Sequence, residues 1–394
     1  MPDHCGELRS VLDGLKPAIL SASREIHAHP EVRFTEHRAA ALLERALAAD
    51  GFDVESGAAG MPTAFAATAG NSDDPDAPTI ALFCEYDALE GLGHGCGHNV
   101  IAAAGLGASQ AVAAWLARHP EFPGTLRVLG SPAEEGGGGK AHLIEAGYLD
   151  GVDAALMVHP AGQDRVHMDA LARVALEIEF QGRASHAAGA PEHGVNALDA
   201  ASLTLTAIGL LRQQLRSDSR VHAIVTDGGQ APNIIPARAA LRVFVRSPDD
   251  AYLRDRLLPA VKDCARGAAL ATGAQVEITQ PTPAYAALRT NGVLAQVCAE
   301  GFGAIGRALD DTAEAAVLGS TDMGNVSAVV PSAHPCLELA PGLVLHTPEA
   351  AEAAGSAPGD RAVLDGALLL ADCATRLYAE TDLISAAHAA HHSS

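Results

Sequence analysis

The stretch Thr125-Leu126-Arg127-Val128-Leu129-Gly130-Ser131-Pro132-Ala133-Glu134-Glu135-Gly136-Gly137-Gly138-Gly139-Lys140 runs from a short apolar segment straight into an acidic pair and four glycines. Five residues rich in Leu and Val, bounded by Gly and Pro, predict a buried strand, and the Glu-Glu-Gly run predicts a turn at its carboxyl end. Thr79 to Phe83 and Ala154 to Val158 read the same way. Each is followed at once by residues with chemistry: Asp87 and Cys96 after the first, His159 after the second. Such strands, alternating with Ala/Leu-rich helical patterns, predict an α/β fold with a mainly parallel sheet. In open sheets of this kind, functional groups gather beyond the carboxyl ends of the strands.

From Leu171 the pattern changes to alternation, with Val174, Leu176, Ile178 and Phe180 on one face and Glu177 and Glu179 on the other. That is a half-exposed strand. Helical patterns over Asn196 to Leu215 and Ala251 to Leu270, and strand patterns at Val221 to Val225, Leu241 to Val245 and Val276 to Ile278, complete a β-α-β-β-α-β order, that of a ferredoxin-like α+β domain. The expected organisation is a catalytic domain in two parts, residues 1–170 and 284–394, interrupted by an inserted domain over 171–283. A chain of 394 residues is long for one core, so two domains are expected on size alone. Ala350 to Gly359 reads as a loop, and the tail His388-Ala389-Ala390-His391-His392 as a frayed end.

Composition narrows the partners. With 26 basic against 48 acidic residues, a formal charge of -22 opposes nucleic acid and anionic membrane and favours a small-molecule substrate. Seven scattered cysteines without a C-x-x-C pair argue against a disulfide framework and for a reducing cytoplasm. The start, Met1-Pro2-Asp3-His4-Cys5, shows no export signal, and no segment reads as a membrane span.

Cys96, His98, Glu135, His159 and His346 supply five candidate metal ligands. A thiolate, imidazoles and a carboxylate suit zinc or manganese, with cobalt possible, and the donor count fits two ions better than one. Glu134 is then free to act as general base toward a metal-activated water. Taken singly, several of these residues have plainer readings. Cys96 is a buried thiol, Glu134-Glu135 a solvated pair, His159 and His346 ordinary histidines, Asn233 a turn former and Arg246 an edge charge. Gly301-Phe302-Gly303-Ala304-Ile305-Gly306 matches a dinucleotide fingerprint, but it follows a helical pattern rather than a strand and is set aside.

Ordered motifs along the chain carry a resemblance. They are Ile26-His27-Ala28-His29-Pro30-Glu31, Glu85-Tyr86-Asp87-Ala88-Leu89, Gly95-Cys96-Gly97-His98-Asn99, Pro132 to Lys140, Ser185-His186-Ala187, Asn233-Ile234-Ile235-Pro236, Gly319-Ser320-Thr321-Asp322 and Leu345-His346-Thr347-Pro348. Together they resemble the aminoacylase and glutamate carboxypeptidase superfamily, the M-20 metallopeptidases, in its amidohydrolase branch. Glu85-Tyr86-Asp87 and Asn99 look most like the p-aminobenzoyl-glutamate hydrolases and the dipeptidases acting on basic dipeptides. Glu90 and Gly95 depart from the common pattern without removing a ligand.

The resemblance implies a homodimeric hydrolase of N-acyl amino acids or dipeptides with two divalent ions per subunit. It makes Cys96, His98, Glu135, His159 and His346 the ligands, Glu134 the base, and Asp87 an orienting carboxylate. It also implies that the inserted domain forms the dimer and closes as a lid, with His186 reaching the partner's site. Asn233 and Arg246 would meet the substrate carboxylate, and Gly319 and Ser320 would line the pocket. Two alternatives stand beside it: a cysteine-nucleophile amidase using Cys96 with His98 or His94 as base, and a catalytically silent homologue that binds acyl amino acids or peptides.

Overall fold

The computed structural model describes residues 4–72, 74–310 and 319–392. Met1, Pro2 and Asp3, on which the reading of the N-terminus partly rests, lie outside the described residues. The chain forms two compact units. One comprises residues up to Asp169 together with those from Leu288 onward, and the other is Ala170–Ala287.

The first unit opens with α1 (His4–Ala28) and α2 (His37–Ala49), then β1 (Asp53–Ser56), β2 (Phe65–Gly70) and β3 (Thr79–Glu85). After them come α3 (His98–Arg118), β4 (Thr125–Ser131), α4 (Gly139–Glu145), β5 (Ala154–Leu156) and β6 (His159–Ala161). The expected strands thus form at β3, β4 and β5. His159, however, does not close the third of them. It opens β6, a separate short strand, because the chain leaves the main sheet after Leu156.

The second unit holds β7 (Ala172–Gln181), α5 (Ala197–Leu211), β8 (Arg220–Asp227) and β9 (Arg238–Ser247). A short α6 (Asp250–Tyr252) then passes through a π turn at Leu253–Leu257 into α7 (Leu258–Thr272), and β10 (Gln275–Thr279) follows. Its sheet has the order β10-β7-β9-β8, antiparallel throughout, as the ferredoxin-like reading requires. Asn196 caps α5 by accepting the Leu198 N–H. The unit runs on to Ala287, past the expected 283, because Tyr285 exchanges backbone hydrogen bonds with Arg173.

The chain then returns to the first unit through α8 (Gly292–Ile305), α9 (Met323–Ser327), β11 (Ser332–Ala333), β12 (Cys336–Glu338), α10 (Pro348–Ala354), α11 (Ala357–Ala379) and α12 (Thr381–His392). The main sheet has the order β1-β2-β4-β3-β5-β11. β1 and β2 pair antiparallel at one edge, and β4, β3, β5 and β11 run parallel. β6 pairs in parallel with β12.

Three expectations need correction. Ala350 to Gly359 is not a loop: α10 and α11 occupy it, with Thr347 capping α10 through the Ala350 N–H. The histidine-rich tail is helical, and His388 lies 3.2 Å from Asp153 Oδ1. Among the described residues one helix, α3, is long and apolar enough to cross a bilayer, contrary to the expectation from the sequence. It is apolar all round because it is buried all round, with 83% of its apolar window inside the protein against α1, α11 and β3. Gly105 lets α3 approach the sheet closely, since a methyl there would lie 2.6 Å from the Phe83 carbonyl oxygen.

Candidate metal centre

β3 ends in Glu85, and the chain places Asp87 two residues on, buried at 1% exposure. Asp87 acts as a two-sided clamp: Oδ1 accepts from His98 Nδ1 at 3.1 Å, and Oδ2 accepts from the Glu135 backbone N–H at 2.9 Å. With Nδ1 engaged, Nε2 is the nitrogen His98 turns to the site. Similarly, His159 donates from Nδ1 to the Pro160 carbonyl at 2.7 Å and presents Nε2 to Cys96 Sγ at 3.7 Å. His346 Nε2 lies 3.2 Å from Glu135 Oε1. All five residues expected as ligands are therefore brought together.

Cys96 belongs to two groups of donor atoms, each within 4.8 Å of one another: Cys96, His98 and His159, and Cys96, Glu135 and His346. A thiolate shared between a pair of imidazoles on one side and an imidazole with a carboxylate on the other is a donor arrangement that suits a pair of borderline divalent ions. Among the described residues, two buried polar atoms without a hydrogen bond of good geometry point the same way, His98 Nε2 and Glu85 Oε1, which lie 3.1 Å apart. Such orphaned atoms are rare in native proteins unless a ligand satisfies them. The residues present fit a divalent metal.

The loop between β4 and α4 holds the acidic pair in a strained turn. Ala133 has φ +61° although it carries a side chain, and the glycines after Glu135 supply further positive φ at Gly136 (+103°) and Gly138 (+74°). Gly139 is required by close approach, because a methyl there would sit 2.0 Å from the Pro132 carbonyl oxygen. Glu36 closes the turn from outside by accepting the Ala133 N–H at 2.9 Å. His346, on the other side of the cluster, also has positive φ, +62°, and its N–H bonds the Gly95 carbonyl at 2.9 Å.

Electrostatics separates the two glutamates. Burial pushes the Glu134 carboxyl well above the usual range, and Glu85, Glu135 and Asp322 add to the effect. For Glu135, burial works in the same direction but is outweighed by the hydrogen bond from His346 and the charge of His98, so its carboxyl is held low. The Cys96 thiol is likewise buried, yet the charges of His98 and His159 bring it down to about 6. Two adjacent carboxylates with pKa values moved apart is the pattern of an acid–base residue beside a ligand.

Three residues that received no role from the sequence stand behind this cluster. Lys140, fully buried, bonds Glu85 through Nζ, and also Asp322 Oδ1 at 2.7 Å. Asp322 Oδ2 accepts the Lys140 backbone N–H at 3.0 Å, and Glu85 Oε1 lies 3.1 Å from His98 Nε2. Each sits inside a quoted motif; the missing signal was that a Lys after four glycines folds inward. Gly319 (φ +91°) and Ser320 precede Asp322, and the buried Ser320 hydroxyl has no partner among the described residues. His94, the other base considered for Cys96, holds the Ile26 carbonyl through Nε2 at 3.1 Å.

The remaining expected site residues lie in the second unit. His186 and Asn233 are neighbours there: His186 bridges Ile234, and the Ala187 N–H bonds the Asn233 carbonyl at 3.0 Å. His186 Nδ1 accepts from the backbone N–H groups of Ala188 (3.2 Å) and Gly189 (3.0 Å). A neutral ring so held carries its proton on Nε2, where it can donate. Arg246 lies near the end of β9, opposite Arg173.

A family model described as peptidase family M20/M25/M40 matches residues 75–362. The Xaa-Arg dipeptidase of Mus musculus is 41% identical over 352 residues, 85% of this chain and 79% of that protein. The chain belongs to peptidase family M20/M25/M40. One of the p-aminobenzoyl-glutamate hydrolase chains of Escherichia coli is 38% identical over 275 residues, 64% of this chain and 55% of that one. A dinuclear metal-binding M20 peptidase from Bacillus subtilis shares the fold, with a TM-score of 0.69 at 21% identity over 93% of this chain and 99% of that one. The family is metal-dependent, and this member is a metallo-amidohydrolase with candidate metal-binding residues in its first unit.

Proposed function

We propose that this chain hydrolyses the amide bond of an N-acyl amino acid or dipeptide at a two-metal centre held by Cys96, His98, Glu135, His159 and His346. The observation that carries the reading is Cys96, shared by two donor groups beside a glutamate tuned apart from its neighbour. Zinc or manganese suits these donors, and cobalt is acceptable to them. Divalent ions held there supply Lewis acidity, acidifying water and polarising the scissile carbonyl. Glu134 accepts the proton of the attacking water and returns it to the leaving amine. His186 donates from Nε2 to the carbonyl oxygen as charge develops. Asn233 and Arg246 hold the free carboxylate of the leaving residue, and Gly319 and Ser320 line the pocket.

The second unit acts as the dimerisation and lid domain, pairing with its twin so that His186 serves the partner's metals. Seven free thiols suit a reducing cytoplasm. The named relatives supply two candidate leaving residues, arginine and glutamate. The test is hydrolysis of N-acyl amino acids, p-aminobenzoyl-glutamate and Xaa-Arg dipeptides with added manganese or zinc, read by amine release. Chelation should abolish turnover and metal should restore it. Undiminished turnover after chelation, with an acyl adduct on Cys96, would overturn the reading in favour of a cysteine nucleophile.

A further inference from the structure

In the second unit the core side of the sheet is covered by α5 and α7, and Val174, Leu176, Ile178, Leu241, Val243 and Val245 point into that core. Residues on the opposite face follow from the register: Arg173, Glu177 and Glu179 on β7, Arg238, Arg242, Phe244 and Arg246 on β9. Arg242 pairs with Glu177 at 2.6 Å, and Arg238 pairs with both Glu179 and Asp227 at 2.6 Å. Arg173 and Arg246 break the pattern. They are direct cross-strand partners, two cations side by side, and among the described residues neither has a carboxylate in ion-pair range.

Arg173 is 7% exposed, and its Nε and Nη2 have no hydrogen-bond partner; Arg246 Nε has none either. Aromatic rings fix the planes of both groups. The Arg173 guanidinium lies 4.1 Å from the Tyr285 ring centre and 5.0 Å from that of Phe244, and Arg246 lies 5.5 Å from Phe244. Stacking on the faces leaves the N–H edges free, and those edges are what grip a carboxylate. Burial and the charge of Arg173 both work against the Arg246 cation. A buried cation beside a half-buried one, both with unsatisfied donors, calls for an anion.

We propose that Arg173 and Arg246 form a two-guanidinium seat for the leaving amino acid, and that a dicarboxylate residue, glutamate or aspartate, is preferred over neutral or basic ones. The proposal rests on the amidohydrolase reading and extends it from one arginine to two. A dianion matches both charges, whereas an arginine side chain would meet a like-charged pair.

The test is calorimetric titration of the metal-loaded protein with the free amino acids glutamate, glutamine and arginine, on wild type, Arg173→Met and Arg173→Lys. Glutamate should bind wild type about tenfold or more tightly than the other two, as expected for one added charged hydrogen-bonded contact. Arg173→Met should lose that preference with little change for glutamine, and Arg173→Lys should regain part of it. Equal glutamate binding in wild type and Arg173→Met, or tighter binding of arginine, overturns the seat. So does a change confined to the sedimentation behaviour of Arg173→Met, which would assign the pair to a carboxylate of a second copy. If Arg173→Met fails to fold, the lysine variant decides: a folded Arg173→Lys with undiminished preference for glutamate also overturns it. Selective glutamate binding by a protein that hydrolyses no acyl-glutamate would leave the seat standing and remove the amidohydrolase reading instead.

Discussion

Glu134 and Glu135 are adjacent in sequence and opposite in environment, the first raised by burial and neighbouring carboxylates, the second lowered by His346 and His98. If the first is a base and the second a ligand, Glu134→Gln abolishes turnover and keeps its metal, while Glu135→Gln loses metal; elemental analysis of the two purified proteins checks it. Equal loss in both would place Glu134 among the ligands, a role within reach of its donor atom, which lies within 4.8 Å of those of Glu85 and His98. Glu36 makes a separate prediction. Burial, and then the charge of Asp87, raise its carboxyl from 4.5 to about 7. A carboxyl raised on folding favours the folded state below its unfolded pKa, and that contribution is lost as pH rises through the folded value. The loss amounts to about 3 kcal/mol between roughly pH 4.5 and pH 7. Melting temperature should fall over that window in wild type and fall less in Glu36→Gln, which keeps the Ala133 bond without the charge. Parallel melting curves for the two would rule Glu36 out as the source.

At the scale of elements, the centre depends on how closely α3 lies on β3, since α3 begins at His98 and β3 ends at Glu85. Gly105 sets that distance. Replacing it with Ala gains about 1 kcal/mol of helix propensity, but the methyl would meet the Phe83 carbonyl at 2.6 Å and Cys84 Sγ at 2.8 Å. Overpacking of this kind costs about 1–3 kcal/mol, so the net effect is destabilising. Gly267 in α7 has open space around it, and there the same change should stabilise by up to about 1 kcal/mol. Urea midpoints of the two variants read the contrast directly; a stabilised Gly105→Ala would mean that the helix can draw back from the sheet.

At the scale of the whole molecule, the proposed dimer assigns the base and the oxyanion donor of one site to different chains. His186→Ala should lower the catalytic rate by about a hundred- to a thousandfold, the usual cost of one such donor, and leave metal content unchanged. Mixing His186→Ala with Glu134→Ala under subunit exchange should restore activity, because each heterodimer holds one site with both groups intact. Inactive heterodimers, verified by mass, would place His186 in its own subunit's site or in the fold alone.

The sequence alone determined most of the elements and the identity of the five candidate donors. Buried strands at Thr79, Thr125 and Ala154, the alternation from Val174 and the β-α-β-β-α-β order are local patterns, and local patterns survive in one dimension. The motifs around Cys96, Glu134 and His346 are local too, and it was their resemblance to a known family, more than the residues taken singly, that named the donors, His159 among them. Helices at α10 and the tail were misread where Ala, Gly and Pro gave turn signals that packing overrode, and α3 was missed as an apolar span. Only tertiary structure decided that Cys96 is shared by two groups of donors, that Lys140 turns inward between Glu85 and Asp322, and that Arg173 stands unpaired beside Arg246. Those facts depend on which side chains, distant in sequence, share one low-dielectric space, where an uncompensated charge is costly enough to demand a partner.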